Sequence, residues 1–330
     1  MNMRELAGRQ VPAIGLGCMN LSHAYGVPPA EKDAKELLHE AFELGVRHFD
    51  TAALYGFGRN EELLGRTLKP LRSQLFLASK CGMTGVDGKR VIDGRPKTLV
   101  ATVEASLRRL QTDHIDLYYL HRWDRSVPIE DSVGALSRMI EQGKISALGL
   151  SEVSADTLRK AQVVHPIAAV QTEYSLWTRN PEVALLTSCR ELGVALVAFS
   201  PLGRGFLAGA VDDPNALDEQ DIRRGMPRFQ APHFDTNRDL LVRFNALAAD
   251  AGCTAGQLAL AWLLAKDPLV LPIPGTRSLQ HLRENMLSSQ IDLTPDVLVA
   301  AGALINHDTV SGPRYPPATQ LEIDTEELVP

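Results

Sequence analysis

Asp50 closes a short apolar run, His48-Phe49-Asp50, and Tyr55 follows it in the loop Thr51-Ala52-Ala53-Leu54-Tyr55-Gly56. An ionised carboxylate beside apolar neighbours needs a partner, because its uncompensated burial is costly. Lys80, at the end of the apolar segment 75–80, is suited to be that counter-ion. His121 ends another apolar segment, 115–120, and Ser151, Gln171 and Ser200 end three more. A phenol ionises at about pH 10 and alone is a weak acid at neutral pH. A neighbouring ammonium favours the phenolate and lowers that value. An imidazole can hold an oxygen on which negative charge develops, as an oxyanion hole does. Gathered at one place, these groups would deliver a proton. Singly, each has a plainer reading: Asp50 capping a turn, Tyr55 packing over it, His121 satisfied at a strand end.

The elements that must position these residues alternate regularly. Residues 3–6 and 10–12 flank Ala7-Gly8-Arg9 as a hairpin. Short apolar strands are predicted at 14–17, 46–50, 75–80, 115–120, 147–150, 168–170, 194–199 and 270–273. Amphipathic helices are predicted at 30–44, 60–68 (with Asn60 as N-cap), 97–110, 129–142, 155–164, 181–192, 238–251, 255–265 and 279–287. Residues 295–305 add a further helix. Alternating strands and helices imply a parallel sheet. Eight such units with no change of composition predict the α/β class and a single (β/α)8 TIM barrel over residues 1–330, with an N-terminal β-hairpin and an extra C-terminal helix. An open doubly wound sheet is disfavoured, because Gly15-Leu16-Gly17 is followed by Cys18-Met19-Asn20 and lacks the dinucleotide fingerprint. All strand C-termini of a parallel barrel share one mouth, where catalysis sits. The tail, 308–330, is proline-bearing and then acidic, and is expected to be poorly ordered.

The net charge is −6 and Lys and Arg are scattered, so neither a nucleic acid nor a membrane surface is an expected partner. Cys18, Cys81, Cys189 and Cys253 fit no zinc or redox spacing, and no metal site is expected. The first residues lack the apolar core of a signal peptide, and a cytoplasmic protein is expected.

Taken together the motifs resemble the aldo-keto reductases over essentially the whole chain. The resemblance rests on Gly15-Leu16-Gly17, Phe49-Asp50-Thr51-Ala52 with Tyr55-Gly56, Ser79-Lys80, Leu117-Tyr118-Tyr119-Leu120-His121, Gly149-Leu150-Ser151, Gln171, Ser200-Pro201-Leu202-Gly203, and Ile273-Pro274-Gly275 with Glu284-Asn285. It implies reduction of a small aldehyde or ketone with NADPH, Tyr55 donating the proton and Asp50, Lys80 and His121 completing a tetrad. It further implies that Gly17, Ser151, Gln171 and the 200–203 tract contact the cofactor. Its nicotinamide amide would be held by Ser151 and Gln171, and its adenosine phosphate by the tract from Gly275. Two positions depart from the family pattern. Glu152 stands where many members have Asn, and Gly275 where many have Lys. Arg277 is the candidate replacement for that Lys, and Thr276 offers a hydroxyl beside it. His281, Glu284 and Asn285 lie about one helical turn apart and can share the adenine end.

The long stretch 203–235 is glycine-bearing and carries Arg204, Arg223, Arg224 and Arg228. It is expected to fold over the cofactor pyrophosphate, with Arg204 and Arg223 facing the phosphates. Met19, Tyr25, Trp123 and Trp177 fall on mouth loops and are candidates for the substrate pocket. Two other functions use the same fold: a non-catalytic NADPH-binding regulatory subunit, and a phosphosugar enzyme without nicotinamide.

Overall fold

The computed structural model describes residues 2–86 and 89–328. Strand β1 (Met3–Leu6) and strand β2 (Arg9–Pro12) form the opening hairpin, turning through Ala7 and Gly8 at positive φ. Leu6 and Val11 join the core cluster of Phe76, Leu117 and Leu271, so the hairpin caps the barrel interior. The Arg4 guanidinium meets the carbonyl oxygens of Leu264, Asp267 and Val270 at 2.5 Å each, which fixes the hairpin at the N-terminal end of the last strand.

Barrel and helices then alternate. Strand β3 (Leu16–Gly17) leads to α1 (Glu31–Glu43), and β4 (His48–Asp50) to α2 (Arg59–Leu68). Strand β5 (Phe76–Cys81) is followed by a hairpin of β6 (Met83–Val86) and β7 (Lys89–Ile92), then α3 (Pro96–Leu110). Next come β8 (Leu117–Leu120), α4 (Ile129–Glu141), β9 (Leu148–Ser151), α5 (Ala155–Val164), β10 (Ile167–Glu173) and α6 (Leu185–Leu192). Strand β11 (Ala195–Phe199) is followed by α7 (His233–Asp250) and α8 (Ala255–Lys266), and β12 (Val270–Pro272) by α9 (Leu279–Leu287). Helix α10 (Pro295–Leu304) and the short α11 (Pro317–Gln320) complete the chain.

The eight barrel strands pair in parallel in chain order, from β3 through β12. Backbone hydrogen bonds from Gly15 N to Pro272 O (3.0 Å) and from Gly17 N to Pro274 O (3.3 Å) close the ring between its first and last strands. Each strand is buried on both faces, which explains its continuous apolar run. Phe76, Ala78, Leu117, Tyr119, Ala169, Val197 and Leu271 fill the interior, while Leu77, Tyr118, Leu148, Leu150, Val170 and Leu196 pack under the helices.

Four features differ from the sequence expectation. Helix α2 starts after Gly58 (φ 94°), and Asn60 lies buried in its first turn instead of capping it. Its side chain accepts from Thr51 Oγ1 (2.6 Å) and donates to Cys18 O and Ser22 Oγ (2.9 Å each), which ties the loop after β4 to the first strand. The β6–β7 hairpin was not anticipated. The stretch 203–235 is a chain of single helical turns anchored by buried Phe206, Leu207 and Phe229, and α7 begins within it, at His233. The described part of the tail packs against the barrel mouth, with Arg314, Tyr315 and Ile323 buried. Its partners, Glu152 and Glu173, lie too far away in sequence for a local pattern to reveal them.

His48 is wholly buried at the start of β4, edge-on to Phe76 at 5.4 Å, and neither ring nitrogen has a partner among the described residues. Burial pushes it down to about 4, outweighing Asp50. The unfolded chain therefore takes up a proton near the ordinary value of about 6.5 that the folded chain refuses. Stability from this group is complete above that value and is lost as pH falls towards 4, in total roughly 3 kcal/mol. Urea unfolding of the wild type and of His48→Gln at pH 7.5 and pH 4.5 tests this. The variant is expected to lose less stability on acidification, and parallel losses would contradict the assignment.

Candidate active site

The parallel register brings the strand ends into one ring. Asp50 pairs with Gly17 on one side and Ala78 on the other, Lys80 with Tyr119, and Gln171 with Ser151. Lys80 Nζ, wholly buried, donates to Asp50 Oδ1, to Thr51 O (2.8 Å) and to Tyr55 Oη (3.4 Å). Gln171 Nε2 donates to the other Asp50 oxygen at 2.7 Å. The chain turns sharply after Tyr55, with Gly56, Phe57 and Gly58 all at positive φ (57°, 54° and 94°). A Cβ on Gly56 would sit 3.0 Å from Ser22 O, so the close turn that holds the phenol over Lys80 needs glycine there. The His121 ring stands edge-on to Tyr55 with centroids 5.8 Å apart.

The electrostatics follow from this packing. Burial alone would lower Lys80, but Asp50 and Tyr55 together raise it, so the ammonium persists. Burial raises the Tyr55 phenol, and Lys80 opposes without overcoming it. The expectation of a depressed phenol is thus corrected: desolvation wins, and the phenol stays protonated at neutral pH. His121 lies well below the ordinary histidine value, first by burial and then through Arg122, Lys80, Arg90 and His23. Its imidazole is neutral.

A cavity of about 740 Å³ opens from these groups towards the start of α9. At the end beside Lys80, Asp50, Tyr55, His121, Ser151 and Gln171 line it, and Gly17, Met19 and Tyr25 stand on its first-strand side. Ser200, Pro201, Leu202 and Arg204 form the wall after β11. Gly275, Thr276, Arg277, His281, Glu284 and Asn285 form the far end. There the backbones of two strands nearly touch: a Cβ on Gly17 would lie 2.7 Å from Ile273 O, and one on Gly275 2.7 Å from Gly17 O. Arg277 is exposed, donates to Val27 O at 2.8 Å and has no carboxylate partner among the described residues. Ser278 caps α9 by accepting from His281 N at 3.3 Å.

Several sequence assignments need correction. Gly203 lies behind the wall, where a Cβ would come 2.7 Å from the Trp177 ring. Trp177 itself is buried and stacked on Phe206 at 4.2 Å, and the Trp123 indole donates to Val127 O at 2.9 Å. Neither tryptophan lines the cavity; both pack loops. Arg204 lines the cavity and gives its Nη2 to Glu173 (2.9 Å) and Tyr315 Oη (3.0 Å), and Arg223 is paired with Asp221 (2.7 Å). Glu152, at φ 55°, turns its carboxylate away from the cavity to Thr172, the Glu173 amide and Arg314. Burial would raise Glu173, but Arg314, Arg204 and Arg228 hold it down at about 2.

The sequence reading missed His23, Arg90, Arg122 and the tail residues Tyr315, Pro316 and Thr319, all of which line the cavity. Arg122, adjacent to His121, carried a usable signal. The tail residues carried none, because their placement depends on the distant Glu152–Glu173 pair.

Comparison with known proteins adds an independent line. The model of the Aldo/keto reductase family matches residues 13–304. The chain is 40% identical over 327 residues to the Schizosaccharomyces pombe protein named aldo-keto reductase yakc [NADP(+)], covering 97% of this chain and 96% of that one. A glycerol dehydrogenase from Gluconobacter oxydans superposes with a TM-score of 0.84 at 28% identity, over 95% of this chain and 98% of its own. An aldo-keto reductase from Bacillus halodurans, in its holo form, gives 0.77 at 29% identity, over 93% and 97%.

The tail anchor is testable by itself. Arg314→Met leaves Glu152 and Glu173 buried without their shared cation, and removing one partner of a buried pair costs about 3–5 kcal/mol. Denaturant unfolding is expected to show a loss of that order, and a loss below about 1 kcal/mol would mean the pairs contribute no more than exposed ones.

Proposed function

The chain belongs to the aldo/keto reductase family, an oxidoreductase family, and from that premise we propose that it reduces small aldehydes or ketones to alcohols with NADPH, Tyr55 donating the proton. The observation that carries the reading is Lys80 Nζ bridging the Asp50 carboxylate and the Tyr55 hydroxyl, beside a neutral His121.

NADPH, when bound, supplies the hydride. The chain's own residues manage the proton and the charge. Tyr55, kept protonated by burial, gives its hydroxyl proton to the substrate oxygen. The phenolate left behind faces the Lys80 ammonium, which stabilises it. Asp50 and Thr51 O hold that ammonium in place, and Gln171 holds Asp50. His121 aligns the substrate oxygen, as an oxyanion-hole donor does.

The residues present fit the cofactor. The cavity runs from the tetrad to the cap of α9, past a seam where the backbones at Gly17 and Gly275 lie too close for any side chain. Ser151 and Gln171 would hold the nicotinamide amide; Gln171 commits its N–H to Asp50 and keeps its carbonyl oxygen. The cap of α9 and Arg277, which has no carboxylate partner among the described residues, suit a phosphate on the adenosine. Glu284, the acid nearest this end, already accepts from Thr254.

Two outcomes are expected. Tyr55→Phe should lower kcat by roughly 100- to 10,000-fold while NADPH still binds, as read by quenching of protein fluorescence. Retention of more than about half of the wild-type kcat would sink the assignment of Tyr55 as donor. Arg277→Ala should weaken NADPH roughly tenfold or more and barely change NADH, since hydrogen bonds to charged groups contribute about 1.5–3 kcal/mol. Equal losses for both cofactors would show that Arg277 does not read the extra phosphate.

A further inference from the structure

The catalytic half of the cavity carries more positive charge than proton delivery uses. Arg122, directly after His121, and Arg90, on β7, both line it, together with His23. Arg122 Nη1 donates to His121 O (2.6 Å) and Ser151 Oγ (3.2 Å), which anchors one arm of the guanidinium between the ends of β8 and β9. Its Nε and Nη2 have no acceptor, and no carboxylate lies within ion-pair distance, among the described residues. That sets it apart from its neighbours. Arg204 has Glu173, Arg223 has Asp221 and Arg314 has Glu152. Arg90 sits at the rim and holds Glu322 of the tail, a partner that is itself partly exposed.

Few acids face this end: Glu152, outside the cavity, feels the charge of Arg122 but is bonded to Arg314. The carboxylates lining the cavity are Asp50, held by Lys80 and Gln171, and Glu284, at the far end with Thr254. His121 registers the imbalance: after burial, Arg122, Lys80, Arg90 and His23 all push it down. The whole chain is acidic, at −6, so an anionic ligand needs a local cation to enter.

We propose that Arg122 is a specificity-determining residue that binds a carboxylate carried by the carbonyl substrate, with Arg90 drawing the anion in at the rim. The proposal rests on the carbonyl-reductase reading and narrows its substrates to short oxo-acids. A planar guanidinium with one arm fixed and two donors open matches a carboxylate in side-on, two-bond geometry. Arg122 adjoins His121 in the chain, so carboxylate and carbonyl are separated by only a few carbons. The plainer role for Arg122 is a tie between β8 and β9. Such a tie would serve charged and neutral substrates alike, and this separates the two roles.

The test compares 4-oxobutanoate with its neutral methyl ester, using NADPH and reading the ratio of kcat/KM so that any general loss of activity cancels. Wild type is expected to favour the acid by roughly 10- to 100-fold, chiefly through KM. Arg122→Gln should bring the ratio close to one, and Arg122→Lys should retain part of it. Arg90→Gln should lower the ratio less, with an effect that fades as salt is added. Calorimetric titration with succinate in the presence of NADP+ gives a readout without turnover, and binding should weaken tenfold or more in Arg122→Gln. Equal wild-type rates for acid and ester, a ratio unchanged in Arg122→Gln, or succinate binding equal in both proteins would overturn the proposal and leave the reductase reading standing. Turnover of neither substrate by enzyme that binds NADPH would overturn the reductase reading itself. A larger preference for glyceraldehyde 3-phosphate over glyceraldehyde than for acid over ester would assign Arg122 to phosphate and overturn the carboxylate.

Discussion

A lysine ammonium buried without solvent contact is the constraint on which the mouth of this barrel depends. Removing Lys80 from water disfavours its charge, and Asp50, in direct contact, does most to reverse that, with help from Tyr55. Asp50 in turn must be held, and Gln171, from a strand on another part of the ring, does so. Lys80 also needs acceptors for its other protons, and the Thr51 carbonyl and the Tyr55 hydroxyl supply them. Three strand ends and the loop after β4 are thereby locked to one charge pair. The left-handed turn at 56–58 and the Asn60 bonds to Cys18 and Ser22 follow from the need to keep Tyr55 within reach.

A second buried charge group stands beside the first and closes the mouth from another side. Glu152 and Glu173 are satisfied by Arg314 and Arg204, and Tyr315 bonds Arg204 in the same cluster. Arg314 and Tyr315 belong to the tail, so the cavity wall they form depends on acids at the ends of β9 and β10. Asp324 extends the attachment by accepting from Ser154 and Thr157 at the start of α5. The acid at 152 thus has a structural use: it holds the tail through Arg314.

The barrel and the polar cluster at its mouth were legible because both obey local rules. Strands buried on both faces read as short apolar runs, and a polar residue ending such a run is visible in sequence. That logic found Asp50, Lys80, His121, Ser151 and Gln171, and the structure brings them to one mouth. It failed where placement depends on distant partners. The β6–β7 hairpin has a mixed sequence, Met83-Thr84-Gly85-Val86, with no alternation to announce it. Trp123 and Trp177 were assigned to the cavity by loop position alone, whereas the packing of Phe206 and Val127 decided their orientation. The ion pair of Arg204 with Glu173, thirty-one residues upstream, had no local signal either.

The central claim is that Lys80 acts on the ionisation of Tyr55, against a burial that pushes the other way. It is tested most directly by the phenol itself. The protein has six tyrosines, so ζ-carbon-13 labelling with NMR, and Tyr55→Phe to assign the signal, gives a titration of that one group. The wild-type signal should titrate above the ordinary value of about 10, and in Lys80→Met it should titrate higher still, because removing a positive neighbour disfavours the phenolate. A titration that is unchanged, or that moves down, in a folded Lys80→Met protein would contradict the account.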